Sequence, residues 1–385
     1  MILGNISVDT FLKEYWQQKP LLIKQAFPDF KDPVSPEELA GLACEEEAES
    51  RIVFTNGDNW TLKNGPFLES DFTSLPEQDW TLLVQAVDHW FPSVQKLINN
   101  VPFIPRWRID DVMVSYAEKN AGVGPHFDYY DVFIIQGQGS RRWKIGQSCN
   151  SQTELISDSG LKILKDFIHQ EEYELNNGDV LYIPPGIAHY GISNNSSLSY
   201  SIGFRAPSVA EILINYSDEI CANLNDDQRY KDSILSASPN ATGEIATSAL
   251  NTVTELINNS INNPAAINTW FGKYMTEAKT PESILAPEEL LSPDELHSML
   301  MNDAAFYKHP AARFAWINSE DCLRIFCNGE EYCFDLSNTT IQSLNTLLNS
   351  SEDTLELQHF LHDPDCLTLL VELYNQGSIL SINEE

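Results

Sequence analysis

Gly178-Asp179-Val180-Leu181-Tyr182-Ile183-Pro184-Pro185-Gly186-Ile187-Ala188-His189 is the stretch that decides the fold. It reads as a turn, a short apolar strand, a tight Pro-Pro-Gly turn and a histidine on the strand that follows. Sixty-one residues before that histidine stands Asp128, closing the triplet His126-Phe127-Asp128. In an extended strand residues i and i+2 project from one face, so His126 and Asp128 can grip one ion while Phe127 points into apolar packing. His189 then arrives from a different strand. Two histidines and one carboxylate are the facial triad of non-haem Fe(II) sites, which leaves coordination positions open for substrate and oxygen.

Single histidines are commonly hydrogen-bonded surface or core residues, and the other six of this chain's eight are read that way. His359 and His362 stand three apart near Asp363 and Asp365, on what reads as a solvated helix face. Seven cysteines are scattered without a C-x-x-C pair, which argues for free thiols in a reducing cytoplasm and against a disulfide frame or zinc. No apolar run reaches the length of a membrane span, and the first residues lack the basic and apolar regions of a secretory signal. The formal net charge is −33; residues 1–206 hold 28 acids against 16 bases, and residues 207–385 hold 28 against 7. Such a surface repels nucleic acid and attracts basic partners.

A chain of 385 residues exceeds the size at which single cores stop growing. Residues 1–100 read as mixed helix and strand, with a capped helix after Ser7, a strand at Leu21-Leu22-Ile23 and a capping box at Ser35-Pro36-Glu37-Glu38. Residues 105–205 are strand-rich, with runs at 112–117, 131–135, 142–146, 180–183 and 198–204. Short strands punctuated by turns predict a double-sheet jelly roll whose mouth takes a metal and a small cosubstrate. From Pro207 the period becomes helical, with helices opening at Val209 and expected over 244–259 and 265–276, and a connecting loop at 232–243. Residues 288–385 mix helices with a hairpin whose strands Leu323–Cys327 and Tyr332–Leu336 flank Asn328-Gly329.

Several stretches resemble the bacterial ribosomal oxygenases of the Jumonji-C group. They are Tyr15-Trp16-Gln17-Gln18-Lys19-Pro20, Trp80-Thr81-Leu82-Leu83-Val84-Gln85-Ala86-Val87, Trp107-Arg108-Ile109-Asp110-Asp111, Gly122-Val123-Gly124-Pro125-His126 and Ser201-Ile202-Gly203-Phe204-Arg205-Ala206-Pro207. The resemblance fades after about residue 220. It implies an α+β architecture in three parts: a JmjC double-stranded β-helix over 1–206, a helical dimerisation region over 207–280 and a winged-helix-like domain over 281–385. It implies that His126, Asp128 and His189 bind Fe(II), with 2-oxoglutarate and O2 as cosubstrates. Arg141, in Ser140-Arg141-Arg142-Trp143-Lys144, matches the family cation for the far carboxylate of 2-oxoglutarate, and Ser115 matches the family hydroxyl. Strand alternation sets Arg141 and Trp143 on one face, Arg142 and Lys144 on the other. Arg205 is the competing anchor, at the place many other 2-oxoglutarate oxygenases use.

The implied reaction is hydroxylation of the β-carbon of one arginine in a basic large-subunit ribosomal protein (L-sixteen), giving succinate and carbon dioxide. A guanidinium substrate calls for carboxylates and aromatic faces, and Asp111, Tyr129, Tyr130 and Asp131 are nearest in sequence. Asp111 leads because it shares strand parity with Ser115; a buried partner for Arg108 or a turn cap is its structural alternative. The resemblance further implies a homodimer; the cysteines, the charge and the absence of a long apolar run read as a cytoplasmic protein with no nucleic-acid or membrane partner. The same constellation also serves ribosomal histidine hydroxylation or lysine demethylation. A non-oxygenase cupin usually adds a His or Glu ligand near the first pair, where this chain has Phe127, Tyr129 and Tyr130. A silent scaffold is disfavoured by three intact ligands.

Overall fold

The computed structural model describes residues 1–156, 160–232, 243–318 and 322–334, then 344, 348–349, 354–355, 357, 360–361 and 363–381. Eleven strands make the catalytic part: β1 Leu21–Ile23, β2 Ser50–Asn56, β3 Asn59–Asn64, β4 Trp80–Val84, β5 Ile109–Ala117, β6 Val132–Gln136, β7 Ser140–Ser148, β8 Glu171–Asn176, β9 Val180–Ile183, β10 Ile187–Ser193 and β11 Ser197–Phe204. The major sheet has the order β1-β9-β6-β11-β5-β4-β2-β3 and the minor sheet β10-β7-β8, all neighbours antiparallel. Two facing antiparallel sheets are the expected jelly roll. The expected strand at 180–183 is matched residue for residue; the runs at 112–117, 142–146 and 198–204 are extended by three, four and one residues, and the run at 131–135 is shifted by one, to Val132–Gln136.

The sheet is apolar on both faces at its centre, and each face has its own partner. Phe133, Ile135, Tyr182, Leu198, Tyr200 and Ile202 face outward onto N-terminal residues including Phe11, Val34, Leu39 and Leu42. Val132, Ile134, Leu181 and Ile183 face inward onto Trp143, Ile145 and Leu175 of the minor sheet. Burial on both faces explains why β6 and β9 read as continuous apolar runs instead of alternating ones. The Gly178-Asp179 turn is fixed by the Asp179 carboxylate, which accepts from the Gln25 and Asn176 amides at 2.8 Å and from Lys24 at 2.8 Å. Both N-terminal caps form as expected: Ser7 accepts from the Thr10 amide, and Ser35 and Glu38 make a reciprocal capping box.

By contact, residues 278–312 and 338–385 cluster with 1–206, while 207–277 and 313–337 make a second unit. The second unit holds helices Val209–Ala222, Thr247–Ile261 and Pro264–Thr276 and a three-stranded sheet, Phe314–Asn318, Leu323–Cys327 and Glu330–Phe334. Asn328 and Gly329 both take positive φ, as a two-residue hairpin turn of the primed type requires. Cys322 and Cys333 meet sulfur to sulfur with a Cα–Cα separation of 6.3 Å, which corrects the reading of seven separate thiols. Most of the expected 232–243 loop, both His359 and His362, and the end of the hairpin past Phe334 lie outside the described residues.

Candidate metal centre and cosubstrate pocket

The segment 126–128 runs antiparallel beside 186–189, outside the named strands. The amides and carbonyls of His126 and His189 exchange hydrogen bonds of 3.0 and 2.8 Å, and the Gly186 amide donates to the Asp128 carbonyl at 2.7 Å. Gly186 makes the turn with φ of 75°, a value that favours glycine. This pairing sets the two imidazoles at a tilt of 59° with ring centroids 4.3 Å apart and brings His189 Nε2 within 3.6 Å of Asp128 Oδ2. One ligand atom from each of His126, Asp128 and His189 lies within 4.8 Å of the others, so the three predicted side chains converge. Phe127, between the two, meets Tyr129 edge-on at 5.1 Å.

Both tautomers follow from hydrogen bonding. Nδ1 of His126 is 2.9 Å from the Gly124 carbonyl and Nδ1 of His189 is 2.9 Å from the Ile187 carbonyl. A carbonyl only accepts, so each Nδ1 carries the proton and each Nε2 keeps its lone pair. Burial, then the neighbouring His126, drives the His189 pKa down to about 4, so the imidazole is neutral at physiological pH. Two neutral imidazole nitrogens and one carboxylate oxygen fit a divalent iron and leave it accessible.

Arg141 is buried where β7 faces the inner wall of β5 and β11. Its Nε donates to Ser197 Oγ at 2.9 Å, Nη1 to Ser115 Oγ at 2.8 Å and Ser199 Oγ at 2.7 Å, and Nη2 to the carbonyls of Ser115 and Ser197. All five N–H groups are engaged, yet no carboxylate among the described residues pairs with the charge. Burial alone pulls its pKa down to about 9. A buried cation without a counter-ion is costly unless an anion completes the site. Ser115 and Ser199 are 3.0 Å apart, so one of their hydroxyl protons spans the gap and the other is left for an acceptor. These features fit the far carboxylate of a diacid.

The strand register relates the two sites. His189 stands opposite Ile145 and Ser193 opposite Arg141, so four residues of β10, about 13 Å of strand, separate them. Trp143 fills the interval: it pairs with Gly191, and a Cβ at Gly191 would sit 2.8 Å from the indole. Arg142 lies on the opposite face near Glu172 at 3.9 Å, in keeping with strand alternation. Arg205 follows β11 and pairs its main chain with Arg108, away from the serine cluster. Ser197 and Ser199 were missed in the sequence, although the alternation Ser197-Leu198-Ser199-Tyr200-Ser201 signals a polar inner face on a strand whose other face is core.

Comparison with known proteins is decisive at this point. The "JmjC domain" family model matches residues 96–212 and the "ROXA-like winged helix" model residues 255–379. The ribosomal protein uL16 3-hydroxylase of Escherichia coli is 34% identical over 370 residues, covering 95% of each chain. The chain belongs to the JmjC-domain ribosomal oxygenases. A probable ribosomal oxygenase of Haemophilus influenzae is 35% identical over 333 residues, covering 85% of this chain and 82% of that one. The Escherichia coli ribosomal oxygenase YcfD, solved with cobalt and 2-oxoglutarate, superposes with a TM-score of 0.84 at 32% identity over 98% of this chain and 99% of the other. This ribosomal oxygenase is accordingly an Fe(II)- and 2-oxoglutarate-dependent enzyme that uses O2, built as a JmjC jelly roll followed by a winged-helix region.

The expected substrate contacts divide. Asp131 is fully buried and bonded to the Tyr182 hydroxyl at 2.5 Å and Gln17 Nε2 at 3.1 Å, so it braces the loop and does not line its mouth. Tyr129 and Tyr130 remain 57% and 41% exposed, and the Tyr130 hydroxyl stands beside Asp128. Asp111 points to the same face as Ser115, with its Oδ2 on the Ala86 amide at 3.1 Å and on Lys279 Nζ at 2.5 Å. Its cation is Lys279, and Arg108 approaches Asp131 instead, at 3.9 Å.

Proposed function

We propose that this oxygenase hydroxylates the β-carbon of an arginine in the large-subunit ribosomal protein uL16. In this reading His126, Asp128 and His189 hold the metal, and Arg141 with Ser115 and Ser199 anchors 2-oxoglutarate. The observation that carries the reading is the buried Arg141 charge, without a carboxylate partner among the described residues, four register positions from His189 on the paired strand. A five-carbon diacid held at the metal by its keto-acid end would set its other carboxylate beside Arg141, Ser115 and Ser199. When bound, Fe(II) with 2-oxoglutarate and O2 supplies the oxidation, releasing succinate and carbon dioxide as one oxygen atom enters a C–H bond.

The protein's own groups supply geometry. The Gly124 and Ile187 carbonyls fix both imidazoles, so Nε2 is presented without a proton to lose. Trp143, packed on Gly191, keeps the interval between anchor and metal narrow and apolar, which excludes water. Asp111, on the inner face of β5, receives the substrate guanidinium, while Tyr129 and Tyr130 offer aromatic faces at the mouth.

A net charge of −33 attracts a basic ribosomal protein and disfavours nucleic acid. Ribosomal proteins are made in the cytoplasm, which supports a cytoplasmic enzyme; among the described residues no helix is long and apolar enough to cross a membrane. Leu250, Val253, Ile257 and Ile261 form an exposed apolar stripe on helix Thr247–Ile261, which supports a homodimer.

Incubation of the enzyme with Fe(II), 2-oxoglutarate and uL16, followed by peptide mass spectrometry, tests the reaction. One added oxygen on an arginine is expected. Addition to a histidine, or loss of methyl from a lysine, would replace this assignment with one of the two related chemistries.

A further inference from the structure

Lys279 lies in the segment 278–312, which packs with the catalytic unit. Thr280 follows it with its hydroxyl 3.2 Å from His89 Nδ1, so the segment is docked beside the 87–89 turn. The Lys279 ammonium donates to Asp111 Oδ2 at 2.5 Å and to Asp110 Oδ2 at 3.3 Å. The two oxygens of Asp111 are treated differently. Oδ2 carries Lys279 and the Ala86 amide, whereas Oδ1 has only a long 3.4 Å contact from Gln85 Nε2. Oδ1 is turned toward Gly203, where a Cβ would stand 3.8 Å away and where no side chain fills the inner wall.

Three carboxylates crowd this corner. Asp88 is buried, accepts from the Val112 amide at 2.7 Å and is repelled by Asp111, while Asp110 adjoins in sequence. Burial and like charge both favour a proton on Asp111, and a protonated carboxyl is a poor acceptor for a guanidinium. A lysine on the far oxygen counters part of this, the net shift staying upward, without covering the near oxygen.

We propose that Lys279 is a positioning residue for the substrate arginine: it grips the Asp111 carboxyl by its Oδ2 and so turns Oδ1 toward Gly203 for the incoming guanidinium. The proposal rests on the reading that Asp111 is the guanidinium acceptor. Lys279 hydrogen-bonds to Asp110 and Asp111, and to neither Arg141 with its serines nor the metal triad, so its effect is on the protein substrate alone.

The test uses the full-length enzyme with Fe(II), 2-oxoglutarate and a uL16 peptide. Lys279→Met is expected to raise the KM for peptide about tenfold or more, the scale of one charge-assisted hydrogen bond, while the KM for 2-oxoglutarate stays near wild type. Lys279→Arg, which keeps a cation, restores the peptide KM. Asp111→Asn raises the peptide KM by itself, and Lys279→Met adds nothing on top of it, because the lysine acts through that carboxylate. The double variant also removes the unpaired buried charge, so its unfolding midpoint recovers while its peptide KM does not. If Asp111→Asn raises the peptide KM and Lys279→Met does not, Lys279 is a structural tie and the inference fails alone. A Lys279→Met enzyme that loses peptide and 2-oxoglutarate affinity in parallel with its unfolding midpoint overturns it in the same way. If Asp111→Asn leaves the peptide KM unchanged, the acceptor reading fails and the inference falls with it.

Discussion

Arg141 and Asp88 are both buried ions, and the structure treats them in opposite ways. Arg141 spends its five N–H groups on serines and carbonyls and keeps its charge for a ligand. Replacing it with Met removes the charge while the pocket stays closed. The KM for 2-oxoglutarate is then expected to rise about tenfold to a hundredfold, the worth of a charge-assisted hydrogen bond, in a steady-state assay of succinate release; an unchanged KM would move the anchor to Arg205. Asp88 has no such use. Burial first, then repulsion from Asp111, raises its pKa to about 7. A raised folded-state pKa makes the folded protein bind the extra proton. Its stabilising contribution is therefore full below the unfolded value of 3.8 and is lost as pH climbs through about 7. Asp88→Asn keeps an oxygen for the Val112 amide and is expected to raise the unfolding midpoint at pH 8 relative to wild type, with no gain at pH 3. Thermal scans at the two pH values decide it, and an equal gain at both would refute the titration.

Strands β7 and β10 show what a pair of elements adds to single residues. Their register sets Trp143 against Gly191 between the metal triad and the anchor, and a methyl group at position 191 has no room. Gly191→Ala is expected to cost about 1–3 kcal/mol in denaturant unfolding by overpacking. It should also weaken 2-oxoglutarate binding as the indole is pushed into its path; a neutral substitution would mean that the indole is free to swing away. The same elements mark how far the sequence could be read. Strands β6 and β9 were legible because continuous apolar runs between Gly and Pro turns have one common outcome, and His126 with Asp128 because the two-residue period puts them together. The serine set around Arg141 was not, since it joins β5, β7 and β11 across register that no local pattern encodes. Lys279 on Asp111 spans 168 positions, and neither residue carries a mark of the other. The family resemblance supplied Arg141 and Ser115, and only the packing explains why they serve.

At the scale of the molecule, net charge and one exposed apolar stripe bear on what the protein meets. The excess of acids suits a basic protein substrate, so random duplex DNA should show no electrophoretic shift at physiological salt, and a clear shift would overturn the charge argument. The apolar stripe on helix Thr247–Ile261 predicts that Ile257→Glu converts a dimer to a monomer in light-scattering measurements of mass. A wild-type chain that is itself monomeric would leave that stripe without the role given to it. The claim on which all else depends is that the two imidazoles and one carboxylate share a single ferrous ion that also takes the keto acid. Anaerobic titration with Fe(II) and 2-oxoglutarate reads it directly through the visible metal-to-keto-acid charge-transfer absorbance. The wild-type enzyme should develop the band with one iron per chain, and His189→Ala should not; a band of wild-type strength in His189→Ala would contradict the account.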